Sequence, residues 1–378
     1  MVEQLHMNKK IIHLVLGKAN PERMNGVNKV AHALASTQHD FGYEVELWGI
    51  TKNTVHDYPE RKYQTRLFPK VGFPFILDQL LVKAINELDK NTVFHIHGAF
   101  IPEFFSIARL LHRNQITFVY TSHGGFNKEA INRNLFIKKT YYHLFEKRIL
   151  KWAHKIHFIG ESEMENAQEF SQKNILIPNG QRVDDLTFTY RQVLTEELPV
   201  FGYCGRLALK EKGIDILLEG FSLYKKAGGK GELWMIGDGP DKDEIQKLTQ
   251  RLDLSHAVKY FGSQYGGEKL NLIVNMDWFV LTSRNEGLPT SVLEAAALRI
   301  PCIISKETNL GSKVKTFRAG IVLEENLPFD LCKAFIEASY LLREQRQMGL
   351  NAHLMVVQEF NWQTIAQQLV DHYHENSI

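Results

Sequence analysis

The sequence predicts an α/β protein made of two Rossmann-like domains that face each other across a cleft. Three observations predict it. The chain has 378 residues, a length that divides more readily into two domains than one. Short apolar runs alternate with amphipathic helical stretches, the order that gives a parallel sheet covered by helices on both faces. The alternation then starts afresh at Pro199, after the turn-rich stretch 178–186, Pro-Asn-Gly-Gln-Arg-Val-Asp-Asp-Leu, which reads as a hinge.

In the first half, Ile11–Leu16 reads as the opening strand and Gly26–Ser36 as the helix after it. Tyr43–Ile50, Thr92–His97, Thr117–Ser122, Lys155–Ile159 and Asn174–Pro178 follow as strands. Pro199–Cys204, Glu232–Ile236, Val258–Phe261, Asp277–Leu281 and Pro301–Ser305 repeat the pattern. Low-complexity tracts and short internal repeats are missing.

Composition excludes several classes. Residues 1–180 carry 23 basic against 17 acidic side chains and the remainder 22 against 26, so the first half is expected to face a membrane surface or an anionic substrate. Neither half is basic enough for nucleic acid. Three cysteines, Cys204, Cys302 and Cys332, lack metal-like spacing and suit a reduced compartment. With no apolar run long enough to span a bilayer and no signal peptide, a cytoplasmic protein is expected.

The segment 281–297, Leu-Thr-Ser-Arg-Asn-Glu-Gly-Leu-Pro-Thr-Ser-Val-Leu-Glu-Ala-Ala-Ala, carries the most chemistry. It sets Glu286 and Glu294 eight positions apart, on either side of a Gly-Leu-Pro turn. A buried strand precedes the turn and a helix follows, with Pro289 suited to its first position. The amides of Gly287, Leu288 and Thr290 would then point at an anion at the helix mouth, while the two acids grip sugar hydroxyls.

Arg206 follows a strand end and Lys212 precedes a helix, placing two cations where they could neutralise a diphosphate. Taken alone, each reads better as a solvated loop residue; together with the Glu286 and Glu294 segment the diphosphate role is favoured. Asn25-Gly26-Val27 opens the first helix, and Gly26 permits close approach of an anion, although a plain helix start explains it as well. There is neither a Gly-x-Gly-x-x-Gly fingerprint nor a P-loop. His97 and His123 end consecutive strands, at the edge that lines the ligand cleft of such sheets. His95 and His97 are expected on opposite sides of their strand. Asp241-Lys-Asp243 has the spelling of a metal site but opens a helix, where acids complement the dipole, so no metal is assigned. Residues 128–155 and 61–75 read as basic, aromatic-bearing faces able to lie on an anionic bilayer, or else as solvated surfaces.

Together, in this order along nearly the whole chain, these residues resemble the retaining glycosyltransferases of family 4. They are Asn25-Gly26-Val27, His97, His123, Pro178-Asn-Gly180, Gly205-Arg206 with Lys212-Gly213, Gly237-Asp-Gly-Pro240 and the Glu-x7-Glu pair Glu286 and Glu294. The family often has Gly-Gly where this chain has Asn25-Gly26. The resemblance implies the GT-B fold, with an acceptor domain at 1–180 completed by a last helix at 361–378. A nucleotide-sugar domain would occupy 181–360. It implies that Arg206, Lys212, Gly26 and the amides of Gly287 and Leu288 bind the donor's diphosphate. Glu286 would contact the transferred sugar, Glu294 the ribose, His123 the reacting sugar and His97 the acceptor.

The expected reaction moves a sugar from a nucleoside diphosphate sugar to a hydroxyl, with retention at the anomeric carbon. The nucleotide sugar is the co-substrate and no other cofactor or metal is called for. A lipid-linked saccharide, as in capsule, O-antigen or exopolysaccharide assembly, is the favoured acceptor. A peripheral place on the inner membrane face goes with it. A sugar-nucleotide epimerase of the same architecture and a non-catalytic nucleotide-sugar-binding protein are the rivals.

Overall fold

The structure is a computed structural model and describes residues 10–20, 26–126, 135–181, 198–284, 286–341 and 344–375. Asn25, residues 128–134 of the 128–155 basic stretch and the hinge beyond Gln181 lie outside those residues. The chain divides into two compact units, Met1–Gly180 with Trp362–Ile378, and Gln181–Asn361.

The first unit is built on a seven-stranded sheet. Its strands are β1 (Lys10–Leu16), β2 (Glu44–Thr51), β3 (Gln64–Pro69), β4 (Val93–His97), β5 (Thr117–Thr121), β6 (Lys155–Phe158) and β7 (Asn174–Leu176). They lie in the order β3-β2-β1-β4-β5-β6-β7, and every pairing is parallel. The chain runs outward from β1 to β3 and returns to β4 on the other side, so the order reverses between β1 and β4, where such sheets open a ligand crevice. Register sets His13 opposite His95, His97 opposite Thr121, and Thr121 opposite His157. Five polar side chains therefore cross the buried sheet in two adjacent rows, His13 with His95 and His97 with Thr121 and His157.

The helix Gly26–Asp40 buries Asn28, Ala31, Leu34, Ala35 and Gln38, a stripe at helical spacing. The last helix, Trp362–His374, belongs to this unit and buries Ile365, Ala366, Leu369, Val370 and Tyr373 in the same cluster as Val15, Ala31, Leu34 and Val119. Burying a leucine or isoleucine fully contributes on the order of 1.5–3 kcal/mol, enough to anchor the chain's end here. Gly180 closes the first pass of the unit, because a Cβ there would stand 2.4 Å from the Trp362 ring.

The second unit has β8 (Val200–Cys204), β9 (Glu232–Ile236), β10 (Val258–Gly262), β11 (Trp278–Leu281), β12 (Cys302–Ser305) and β13 (Gly320–Leu323). Their order is β10-β9-β8-β11-β12-β13, again all parallel, with the reversal between β8 and β11. Phe201, Phe221, Tyr224 and Phe335 interlock in its core, with Phe201 and Phe335 centroids 4.6 Å apart.

The strands not expected from sequence are β3 and β13, both at sheet edges. Residues 64–69 fall in the 61–75 stretch, whose sequence predicts a basic surface. They pair instead with β2, and Arg66 lies over the Trp48 ring at 4.8 Å. An edge strand is covered incompletely, so it lacks the continuous apolar run that marks a central parallel strand. Among the described residues no helix is long and apolar enough to cross a membrane.

Candidate active site

In the second unit, β11 delivers Thr282 and Ser283, both fully buried, to its carboxyl end. Thr282 decides what can follow Lys212: at Gly213, with φ +62°, a Cβ would lie 1.9 Å from the Thr282 carbonyl oxygen. That close approach draws the Lys212 loop onto the 286 turn. Lys212 Nζ stands 2.6 Å from Glu286 Oε1, which also accepts from Ser283 Oγ at 2.8 Å.

The turn itself is held by its carbonyls. Asn309 Nδ2 donates to the carbonyl oxygens of Glu286 and Gly287, and the Glu286 N–H donates to the Glu307 carbonyl. Among the described residues, the amides of Gly287 and Leu288 donate to no protein group. They remain available to an anion just before the helix Thr290–Ala297, with Pro289 as its cap rather than its first residue.

Glu294, one turn into that helix, has both oxygens 2.8 Å from Lys269 Nζ. Cys204 lies beside this pair, and burial pushes its thiol up to about 11. Arg206 is half-exposed and pairs with Glu211 rather than with Glu286. Asp241 Oδ2 accepts from the Leu209 N–H at 2.8 Å and Asp243 lies in a helical first turn, so this acidic pair serves the backbone.

The first unit holds a different kind of site. His95 and His97 share one face of β4, their rings stacked at 4.1 Å, which corrects the expectation that they diverge. Residues two apart on a strand point the same way. Five histidines connect in two hydrogen-bonded chains. One runs from Gln38 Oε1 to His13 Nε2 (2.7 Å), from His13 Nδ1 to His97 Nε2 (2.9 Å), and from His97 Nδ1 to His123 Nε2 (2.9 Å). The other joins the Tyr373 hydroxyl, His95, Thr121, His157 and the Ile177 carbonyl oxygen.

Burial lowers all five pKa values: His13 and His157 to about 4, His123 to about 3, and His95 and His97 well below the usual range. At neutral pH the rings are uncharged. His97, expected to meet an acceptor, is 1% exposed with both nitrogens engaged, so it offers no surface for direct contact. It stands behind His123 instead.

His123 is half-buried and adopts φ +50° before Gly124 at φ +86°, a strained turn of the kind that collects at functional sites. Glu163 braces this turn by accepting from Ser122 Oγ at 2.8 Å. Gly26 is exposed, and a Cβ there would meet nothing within 4 Å, so packing does not require glycine. Nitrogens of His13, His95 and His97 lie within 4.8 Å of one another, close enough for a metal ion, but all six already have hydrogen-bond partners.

The basic surfaces are partly spoken for. Lys70 pairs with Glu103 and Lys147 with Glu169. Phe136, Ile137 and Phe73 are exposed beside them.

Lys269, Ser283, Asn309, His13, Gln38 and Tyr373 were not singled out from sequence. His13 alone left a signal, as a lone polar residue inside the apolar strand Lys-Ile-Ile-His-Leu-Val-Leu, where a buried ring must find partners.

Two family models match the chain in succession: Glycosyltransferase Family 4 over residues 24–184 and Glycosyl transferases group 1 over residues 188–355. WcaL of Salmonella typhimurium, named for colanic acid biosynthesis, is 24% identical over 194 residues, covering 50% of this chain and 48% of its own. The lipopolysaccharide 1,6-galactosyltransferase of the same organism is 34% identical over 109 residues, 28% of this chain and 30% of that one. The chain thus spans half or less of the curated relatives it matches. Among solved structures, Anabaena HepE in complex with UDP and glucose superposes with a TM-score of 0.69 at 16% identity, covering 96% of this chain and 98% of that one.

Proposed function

We infer, for a chain that belongs to the family 4 glycosyltransferases with two Rossmann-like units of the GT-B kind, that it transfers a sugar from a nucleoside diphosphate sugar to a hydroxyl with retention. The observation that carries the reading is the 2.6 Å pair of Lys212 and Glu286 beside the unpartnered amides of Gly287 and Leu288.

The barrier to such a transfer lies in charge building on the leaving diphosphate and on an oxocarbenium-like sugar. Lys212, the turn amides and Arg206 would stabilise the first as fixed donors. Glu286 would hold the transferred sugar and Glu294 the ribose. The donor falls to the second unit and the acceptor to the first, the unit that carries His123. The solved complex of HepE with UDP and glucose supports a nucleotide sugar as the ligand class.

We further propose a lipid-linked saccharide as acceptor, in surface polysaccharide assembly. The names of the two Salmonella relatives support this, as do Phe136 and Ile137, exposed beside Lys138 and Lys139 as groups that suit an anionic bilayer surface.

The test is a panel of sugar nucleotides, scored for thermal stabilisation and slow hydrolysis. Transfer with the stabilising donor follows, and the product anomer is read by NMR. Retention is expected; an inverted product overturns the mechanism.

A further inference from the structure

We propose that His13, His97 and Gln38 form a buried lock that fixes the tautomer of His123. The lock turns the His123 Nδ1 lone pair toward the ligand, so that the ligand group met there is a hydroxyl donating a hydrogen bond. The proposal rests on the sugar-transfer reading only for what that ligand is.

The proton positions follow from two fixed ends, one in each chain. A backbone carbonyl can only accept, and the Ile177 oxygen lies 2.7 Å from His157 Nε2, so that nitrogen carries the proton. The ring is neutral, hence His157 Nδ1 is a bare lone pair, and the Thr121 hydroxyl donates to it across 2.8 Å. Thr121 Oγ1 then accepts from His95 Nε2–H at 2.6 Å. His95 Nδ1 is bare in its turn and accepts from the Tyr373 hydroxyl at 2.5 Å. Each assignment forces the next.

The second chain has its own fixed end. Gln38 Oε1 is an amide oxygen and can only accept, and it lies 2.7 Å from His13 Nε2, so that nitrogen carries the proton. His13 donates from Nε2 to Gln38 Oε1, and its bare Nδ1 accepts from His97 Nε2–H. His97 Nδ1 accepts from His123 Nε2–H.

The nitrogen left over is His123 Nδ1, which among the described residues has no protein partner. A lone pair attracts a hydroxyl proton and repels phosphate or carboxylate oxygens. His13, His97 and Gln38 thus act as positioning residues through a ring that they hold neutral and oriented. The tautomer of a histidine is set by the bond its other nitrogen makes, here three links deep.

Long-range ¹H–¹⁵N correlation spectra of the full chain with ¹⁵N-labelled histidine read this directly, with single histidine substitutions for assignment. His13, His95, His97, His123 and His157 should all show the Nε2–H pattern. Gln38→Met removes the terminal acceptor, and His123 should then show both tautomers. It should also lower kcat on the order of tenfold while leaving the donor KM within about twofold. A merely structural role would lower the unfolding temperature of this variant and leave the tautomer unmoved, which overturns the lock. An Nδ1–H pattern at His123 in the unaltered protein overturns it too. Adding the sugar nucleotide that best stabilises the protein should shift His123 Nδ1 alone; an unmoved Nδ1 in that complex refutes its assignment to the ligand. If no sugar nucleotide stabilises the protein, the sugar-transfer reading fails while the tautomer result still judges the lock.

Discussion

Behind His123, the polar side chains of the first unit's sheet are histidines at most 1% exposed, neutral and joined by hydrogen bonds alone. At the carboxyl edge of the second unit's sheet they are ions with side chains 13–22% exposed, Lys212 with Glu286 and Lys269 with Glu294. The contrast follows dielectric. Charging a fully buried imidazole costs more than any neighbour there repays, so polarity survives only as oriented N–H groups and lone pairs. Near the surface water still screens, and a cation and a carboxylate can wait in contact until a ligand's phosphates and hydroxyls take them over. One unit is organised by tautomer and the other by charge.

The largest expected effect attacks the charged edge. Glu286→Gln leaves Ser283 and Lys212 an oxygen to bond, so the fold should persist, but sugar transfer should fall by on the order of 10²–10³ in kcat. Steady-state rates with the preferred donor measure this, and a variant at wild-type rate would remove Glu286 from the mechanism.

The neutral edge is probed by acid. His13 and His157 titrate at about 4 and His123 at about 3 in the folded protein, against an ordinary value of 6.5. As pH falls below 6.5 the unfolded chain takes up protons that the native rings refuse. Stability is therefore lost between about pH 6.5 and 4, at up to about 1.4 kcal/mol per pH unit for each histidine. Glu146, pushed up to about 7 by burial, works the other way, since the native state keeps its proton between 4.5 and 7 where the unfolded chain has lost it. Glu146→Gln should therefore steepen the acid limb. Urea unfolding at pH 7, 5.5 and 4.5 decides it; equal stabilities at the three values in the variant would mean that the histidines are not buried neutral.

Lys269→Met should weaken donor binding about tenfold, roughly 1.4 kcal/mol, by leaving Glu294 without the ammonium that orients both its oxygens. Calorimetric titration with the nucleoside diphosphate alone suffices, and unchanged affinity would show that Lys269 only decorates the helix.

The smallest effect belongs to Gly26→Ala. Because a Cβ there enters open space, thermal stability should stay put while donor Kd rises a few-fold by crowding the anion. A wild-type Kd would make Gly26 an ordinary helix start.

Local pattern carried far in this chain. The central strands were legible because a parallel strand covered on both faces must be apolar throughout, as in Trp278–Leu281 and Val200–Cys204. The Glu286 turn was legible because its glycine, proline and two acids lie within one contiguous segment. The edge strands Gln64–Pro69 and Gly320–Leu323 lacked that signature, since half-covered strands need not be apolar. Lys269 escaped notice because it lies 25 residues from Glu294, and no local rule selects one lysine among many.

Sequence alone determined two alternating α/β halves, the acid pair and its turn, the cations of the Arg206–Lys212 loop, and the histidines at strand ends, because periodicity and backbone chemistry act over a few residues. Only the tertiary structure decided which partners those groups have. Lys212 meets Glu286 across 74 positions and His95 meets Tyr373 across 278. It also decided that His97 stands behind His123 rather than at the surface. Hydrogen bonds and ion pairs extend about three ångströms, so which ones form depends on how sheets and helices pack rather than on distance along the chain.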